Sequence, residues 1–498
     1  MRHPPISLRV PLLACALAIL ASVAAARHAD AQPSRGALAR GTYAITNVSV
    51  VPMTSERVIA DATVLVRDGR IAAVGPAVSV RVPAGARRVD GRGKWLIPGL
   101  ADMHTHLFSD DDATPDSVAP YELGVMVANG VTTARLMIGT PEQLALRAGV
   151  REGRVLGPQL WIASPQLAGR DFGNTRVVTT PEQARAAVRE VADAGYDAVK
   201  LTLLITPPVY EAVVEETERR GIPLVGHVDT RVGVARALEV RQQIEHLDAY
   251  FEAVLADSAP SRESVTQAGV FRLERWPSLD HVDDAKIDSV AAATARAGVW
   301  SGPTLNVFNQ AFAQGQSREE IRARPDWRLM PPAWRALYLG ALPRYWSDSA
   351  AQVRTPERRA RYVEVRNRLV KGIVDAGGKI LAGSDTPEWF HLYGWGLHRE
   401  LQALVAAGLT PYQALSAATR DPAEYLGASA EWGTIEPGKR ADLVLLAADP
   451  LADIRNTLRI DAVSMGGRWL ERAELDRMIA LAGQRLDGAP PPEPAAAP

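Results

Sequence analysis

Through the middle of the chain, short apolar runs alternate with longer amphipathic stretches. Eight runs stand in order: "LIPGLADMHTH" (96–106), "GVTTARLM" (130–137), "QLWIAS" (159–164), "YDAVKLTL" (196–203), "IPLVGHV" (222–228), "QQIEHL" (242–247), "VWSGPTLNV" (299–307) and "KILAGSD" (379–385). Each has strand length, and several of the stretches between them carry the helical period. In "TPEQARAAVREVADAG" a Thr180-Pro181 start and a Gly195 stop mark both ends of one such helix. Repeated strand–helix units predict an α/β fold, a (β/α)8 TIM barrel over residues 98–430. The spacing between the sixth and seventh runs is wide, and "REEIRARPDWRLMPPAWRALYLGALPRYW" (318–346) predicts inserted helices that cover the barrel mouth.

Both ends of the chain follow the period of a strand. "YAITNVSVVPM" (43–53) precedes "ATVLVRDGRIAAVG" (62–75), in which Asp68-Gly69 between alternating apolar runs predicts a tight hairpin. Far along the chain, "GTIEPGKRADLVLLAADP" (433–450) and "DAVSMGGRWL" (461–470) repeat the style of short strands and glycine turns. Residues 40–97 and 431–475 are therefore expected to build one small β-sandwich from both ends. The Pro-rich "GAPPPEPAAAP" gives a disordered tail over 485–498.

The N-terminus has Arg2 and His3, an apolar stretch from Val10 to Ala26, and the small-residue pattern Ala29-Asp30-Ala31. It reads as a secretory signal peptide, residues 1–31, with cleavage after Ala31 and a secreted or periplasmic destination. An uncleaved anchor and a lipoprotein site at Cys15 are the competing readings; the apolar stretch falls short of the ~20 residues that span a bilayer. Cleavage at Ala31 removes the single cysteine, leaving no disulfide or thiolate chemistry.

With 56 basic against 57 acidic residues in 498 and no dense basic run, the composition excludes nucleic acid and an anionic membrane as partners. A small-molecule substrate is expected, with no stable membrane insertion after processing; a homo-oligomer is compatible with the sequence.

Of nine histidines, four stand on or at the ends of candidate barrel strands: His104, His106, His227 and His246. His104 and His106, two apart on a strand, face the same way and offer two imidazoles to one point. His227 or His246 taken singly is an ordinary core histidine. Together with Lys200 in "DAVKLTL" and Asp385 in "LAGSDTP", they fall on the rim where barrel enzymes do chemistry, and they point to a metal site.

The motifs "IPGLADMHTHL", "GVTTARL", "DAVKLTL", "VGHV", "IEHLD", "GSDTP" and "LSAATRDPAEYLG…GTIEPGKRADLVLL", in this order, resemble the amidohydrolase superfamily of metal-dependent hydrolases. The resemblance runs from about Tyr43 to Leu470 and is strongest to the imidazolonepropionase-like branch that includes secreted prolidase-type dipeptidases. It implies that His104, His106 and Asp385 bind one metal ion, that Lys200 is carboxylated and bridges to a second, and that His227 and His246 complete the second site. An amine whose pKa is lowered by burial can react with carbon dioxide and become an anionic oxygen ligand; the competing reading is a Lys200–Asp385 salt bridge in a one-metal site. Imidazole and carboxylate donors without thiolate suit zinc, and two Zn²⁺ ions hold and acidify a bridging hydroxide. Asp385 would then also act as the catalytic proton carrier.

Two departures leave the substrate open. Leu136 stands where the family often has an acid, and "AGRDFGNTRVV" replaces a common Gly-Gly-His loop. Arg170, Arg176, Tyr250 and His391 are candidate substrate contacts, and Trp389, Phe390 and Trp395 form an aromatic wall or pack a helix. The expected activity is hydrolysis of amide C–N bonds in small molecules such as dipeptides or N-acyl amino acids. The alternatives are hydrolysis of cyclic amides, lactones, carbamates or phosphoesters at the same site, or an inactive periplasmic metal-dependent binding protein.

Overall fold

The computed structural model describes residues 41–109, 114, 116–172, 175–310, 317–345 and 347–487. The expected signal peptide and residues 488–498 of the expected tail lie outside the described residues.

The apolar runs of the central region form eight barrel strands: β1 Leu100–Thr105, β2 Val131–Leu136, β3 Gln159–Ile162, β4 Val199–Leu201, β5 Leu224–Gly226, β6 Gln243–Glu245, β7 Trp300–Gly302 and β8 Lys379–Ile380. β1, β2 and β3 pair in parallel, and β4 to β8 follow in a second parallel run. Parallel bridges between Ala163 and Ala198 and between Thr105 and Thr386 close the ring. The result is the α/β barrel, with Gln166–Ala168 and Thr175–Val177 as short extra strands beside β4.

Local chemistry sets where the strands begin. The helix Pro181–Ala194 starts at Thr180, whose hydroxyl accepts from the Gln183 amide while the Gln183 side chain returns the bond, and it ends on Gly195 at φ 85°. The chain then turns straight into β4 and delivers Lys200. Between β7 and β8 the expected insertion folds as the helices Arg318–Ala323, Pro332–Tyr345 and Asp348–Val353, followed by Pro356–Asp375, which leads into β8.

The chain ends meet in a β-sandwich whose strands are Tyr43–Val50, Ile59–Arg67, Arg70–Pro76, Arg87–Asp90, Trp95–Pro98, Leu443–Leu446, Ile460–Met465 and Arg468–Glu471. Asp68 and Gly69, both at positive φ (51° and 81°), make the hairpin turn. Leu443–Leu446 lies antiparallel to Trp95–Pro98, and this register joins the two ends. Both faces of "LVLL" are covered: Leu443 and Leu445 pack with Ile45, Val64 and Leu96 inside the sandwich, Val444 and Leu446 with the core of the barrel. That double coverage is why the strand reads as a continuous apolar run.

The sequence reading missed one helix, Arg472–Leu486, which buries Leu475, Ala482 and Leu486 against the barrel core and packs on the helix Ala119–Ala128. It carries ordered chain past residue 485, where the tail was expected to start. Among the described residues no helix is long and apolar enough to cross a membrane.

Leu445→Ala leaves a cavity in the apolar cluster it shares with Ile45, Val64 and Leu96. It is expected to cost about 2–5 kcal/mol, seen as a lower urea midpoint at unchanged slope; an unchanged midpoint would show that this strand does not tie the two ends together.

Candidate metal centre

β1 ends on the histidine pair. One nitrogen each of His104 and His106 and a carboxylate oxygen of Asp385 lie within 4.8 Å of one another. Both Nε2 atoms stand 3.3 Å from Asp385 Oδ1. The His104 ring lies 4.7 Å from that of His246, and His246 lies 4.8 Å from His227, so the imidazoles from β1, β5 and β6 form one continuous row. Lys200 on β4, 1% exposed, lies in the fields of Glu245 and Asp385. Beside its stem on β5 is Gly226, the partner of Leu201, at φ 116°, where a Cβ would come within 2.3 Å of the Leu201 carbonyl and 2.8 Å of Lys200 Cδ. Only glycine permits both that backbone and the lysine's passage.

A second set of groups, absent from the sequence reading, aims the imidazoles. Glu245 Oε2 accepts from His104 Nδ1 at 2.8 Å and Asp248 Oδ2 from His227 Nδ1 at 2.6 Å. The Thr304 hydroxyl donates to the Pro303 carbonyl, so its oxygen accepts from His246 Nδ1 at 2.7 Å. In the rings of His104 and His227 the carboxylates hold the proton on Nδ1 and leave the lone pair of Nε2 for a cation. His106 Nδ1 is buried without a hydrogen-bond partner. These donors fit a divalent ion.

The centre of the barrel is accordingly polar. Arg135 on β2 reaches across to Glu245 Oε1 at 2.5 Å and also binds the Met103 carbonyl and Gln243. Asp102 accepts from the Ser384 amide and hydroxyl, tying β1 to the segment that carries Asp385. Arg366, 2% exposed on the helix before β8, donates to the carbonyls of His246 and Pro303 at 2.9 and 2.6 Å. A Cβ at Gly302 would stand 2.2 Å from Glu245 Oε2, so β7 leaves this space to the carboxylate. Strain collects here too: His246, Leu247, Thr304 and Asp385 all have positive φ, between 43° and 60°.

Burial sets the charges. It drives the His104 imidazole down to about 4 and that of His246 well below its ordinary value, despite the nearby carboxylates. Burial also lowers the Lys200 amine to about 8, against the pull of Glu245 and Asp385. It pushes Asp385 up, but His104, His246 and the His106 hydrogen bond outweigh it and hold that carboxylate well below the usual range. Neutral imidazoles beside an ionised carboxylate are the protonation states a metal requires. On the loop after β8, burial and the Asp385 charge lift the Glu388 carboxyl to about 7.

The four expected substrate contacts fare differently. Tyr250 is fully buried, its hydroxyl bonded to Thr294 within the scaffold, and is not on the open rim. His391 is buried as well, with Nδ1 accepting from the Asn306 amide, so it holds two loops together. Arg176 is exposed and paired with Glu190 on the helix Pro181–Ala194, and Arg170 stacks on Phe172. Of the four, His391 lies in the field of Asp385. Leu136 is buried in the barrel core; its neighbour Arg135 carries the polar role on β2.

The amidohydrolase family model matches residues 95–313 and 349–470, which include every one of these strands. The chain belongs to the amidohydrolase family. This amidohydrolase is 25% identical over 405 residues to the imidazolonepropionase of Ralstonia nicotianae, covering 80% of this chain and 88% of that one. Among solved structures it resembles the bottromycin amidohydrolase, at TM-score 0.67 and 24% identity over 94% of this chain and 99% of that one. It also resembles a Xaa-Pro dipeptidase with methionine bound in its active site, at TM-score 0.59 and 18% identity over 86% and 100% of the two chains. With the histidine–aspartate cluster in place, it is a metal-dependent hydrolase of C–N bonds.

Glu245→Gln leaves the ring of His104 in place but removes the anion that fixes its tautomer. Metal affinity, measured by chelator competition, should fall about 10–100-fold. Gly302→Ala should act in the same direction by displacing the Glu245 carboxylate, and wild-type affinity in both variants would rule out this support.

Proposed function

We propose that this amidohydrolase is an exported enzyme with two zinc ions that hydrolyses amide bonds of small molecules, dipeptides or N-acyl amino acids being the leading class. The observation that carries the reading is the convergence of His104, His106 and Asp385 on one point, with the imidazoles of His246 and His227 continuing the same row. The Xaa-Pro dipeptidase and bottromycin amidohydrolase of similar fold favour an amide substrate over lactones or phosphoesters. Export rests on the apolar stretch and the Ala29-Asp30-Ala31 pattern of the N-terminus.

His104, His106 and Asp385 would hold the first ion and His227 and His246 the second. Lys200, its amine lowered by burial, would attack carbon dioxide through Nζ, lose a proton and present a carbamate oxygen to both. Bound there, zinc supplies a Lewis acid for the scissile carbonyl and acidifies water. Asp385 takes the proton of the attacking water and returns it to the leaving nitrogen. Arg366 and Thr304 keep His246 aimed while Asp385 changes protonation.

Two paired measurements test this. The purified protein should carry close to two zinc ions per chain and release amine from a mixed library of dipeptides and N-acyl amino acids, detected by mass spectrometry. Lys200→Ala should lose metal and orders of magnitude of turnover; full activity in that variant would remove the bridging lysine. Asp385→Asn should lose ~10²–10⁴ in rate. Recovery of near wild-type turnover with added zinc would reduce Asp385 to a ligand, whereas a metal-replete, inactive variant supports its proton-carrying role.

A further inference from the structure

Glu388 follows Asp385 by three residues, on the loop after β8, and keeps partial exposure. Its Oε2 accepts from the Tyr338 hydroxyl at 3.4 Å. Asp385 is the one charged group that perturbs it, and among the described residues it forms no ion pair with Lys or Arg. Arg324 and Arg399 both bind Asp326, which is 1% exposed, and Arg324 also donates to the Phe390 carbonyl, so these cations are engaged elsewhere. Glu388 is thus an acid beside the reaction centre with no cation of its own.

The tyrosine that bonds it belongs to an aromatic cluster. Tyr338 and Trp334, both on the inserted helix Pro332–Tyr345, lie 5.7 Å apart. Phe390 packs edge-on to Tyr338 at 5.2 Å, and Phe108, from the loop after β1, packs on Trp334 at 4.9 Å. Trp334 Nε1 is buried without a hydrogen-bond partner, as is Asn306 Oδ1 on the loop after β7. A partly exposed carboxylate without a cation, bonded to an aromatic cluster, is the arrangement that favours an organic ammonium, through direct charge pairing and through the rings beside it.

We infer that Glu388, with Trp334, Tyr338 and Phe390, forms the subsite that receives a protonated amine of the substrate. The amide cleaved then belongs to an aminoacyl compound with a free amino group, and not to an N-acylated one. The inference rests on the amide-hydrolase reading above for its link to turnover, but not for the binding of an amine.

The experiment uses the zinc-loaded enzyme and its Glu388→Gln variant, which keeps the shape and the oxygen that accepts from Tyr338. Binding is measured by calorimetry with phenethylamine and with N-acetylphenethylamine, and turnover with a matched dipeptide and its N-acetyl form. Wild type should bind the free amine at least tenfold tighter than the acetylated probe, and Glu388→Gln should abolish that ratio. The same loss should appear in turnover as a raised KM for the free-amine dipeptide with little change in kcat. Equal affinity of wild type for the two probes, or an unchanged ratio in the variant, overturns the amine subsite. If the amine ratio behaves as expected and neither dipeptide form is hydrolysed, the subsite stands and the amide-hydrolase reading fails. A Glu388→Gln protein that has also lost its zinc would point to a structural role and overturns the inference, unless Tyr338→Phe, which weakens the same contact from the other side, reproduces the altered ratio with zinc retained.

Discussion

Four imidazoles, a lysine amine and an aspartate share a space from which water is nearly excluded, and their charges constrain everything around them. Burial pushes the cationic forms away: the rings of His104 and His246 are neutral at ordinary pH and the Lys200 amine is lowered to about 8. The hydrogen bond from His106 favours the ionised form of Asp385. A set of lone pairs around one anion is poorly satisfied by itself and well satisfied by divalent cations. The barrel therefore holds a site whose internal repulsions and desolvation are relieved by metal.

Holding such a site needs a polar interior where most barrels of this type pack aliphatic layers. Here Arg135, Gln243 and Glu245 join β2 and β6 across the barrel, and Glu245 in turn fixes His104 on β1. Arg366 brings a buried cation from outside the ring to the carbonyls of His246 and Pro303, where the backbone is strained. Asp102 and Ser384 couple β1 to the Asp385 segment. Each imidazole of the row, His106 excepted, is oriented by a partner from a different part of the chain. The precision of the site is thus a property of the closed ring, which the sandwich clamps where Leu443–Leu446 meets Trp95–Pro98.

The strand order and the rim positions were legible in the sequence because each strand is a short apolar run and the chemistry comes at its end. His104, His106, Lys200, His227, His246 and Asp385 could be picked out on that ground alone. The partners could not. Glu245 and Asp248 flank His246 in "IEHLD" and read as ordinary polar punctuation. Arg366 sits in a charged helix where an arginine normally faces solvent, and its burial depends on a contact 120 residues away. Tyr250 and His391 show the converse: a polar residue near the rim has two directions to point, and packing, not spacing, turned both inward. Glu388 was passed over because an acid beside aromatic residues in a loop has no periodic signature. The helix Arg472–Leu486 was missed because its buried face is matched mainly by the distant helix Ala119–Ala128.

The central claim is that the buried lysine joins two metal positions in one charge-balanced site. Crystals of the zinc-loaded enzyme, grown with bicarbonate and measured on both sides of the zinc absorption edge, test it most directly. The account predicts two anomalous peaks about 3.5 Å apart. One should touch His104, His106 and Asp385, the other His227 and His246, with extra density on Lys200 Nζ reaching both. A single peak, with an unmodified Lys200 amine paired to Asp385, would contradict it.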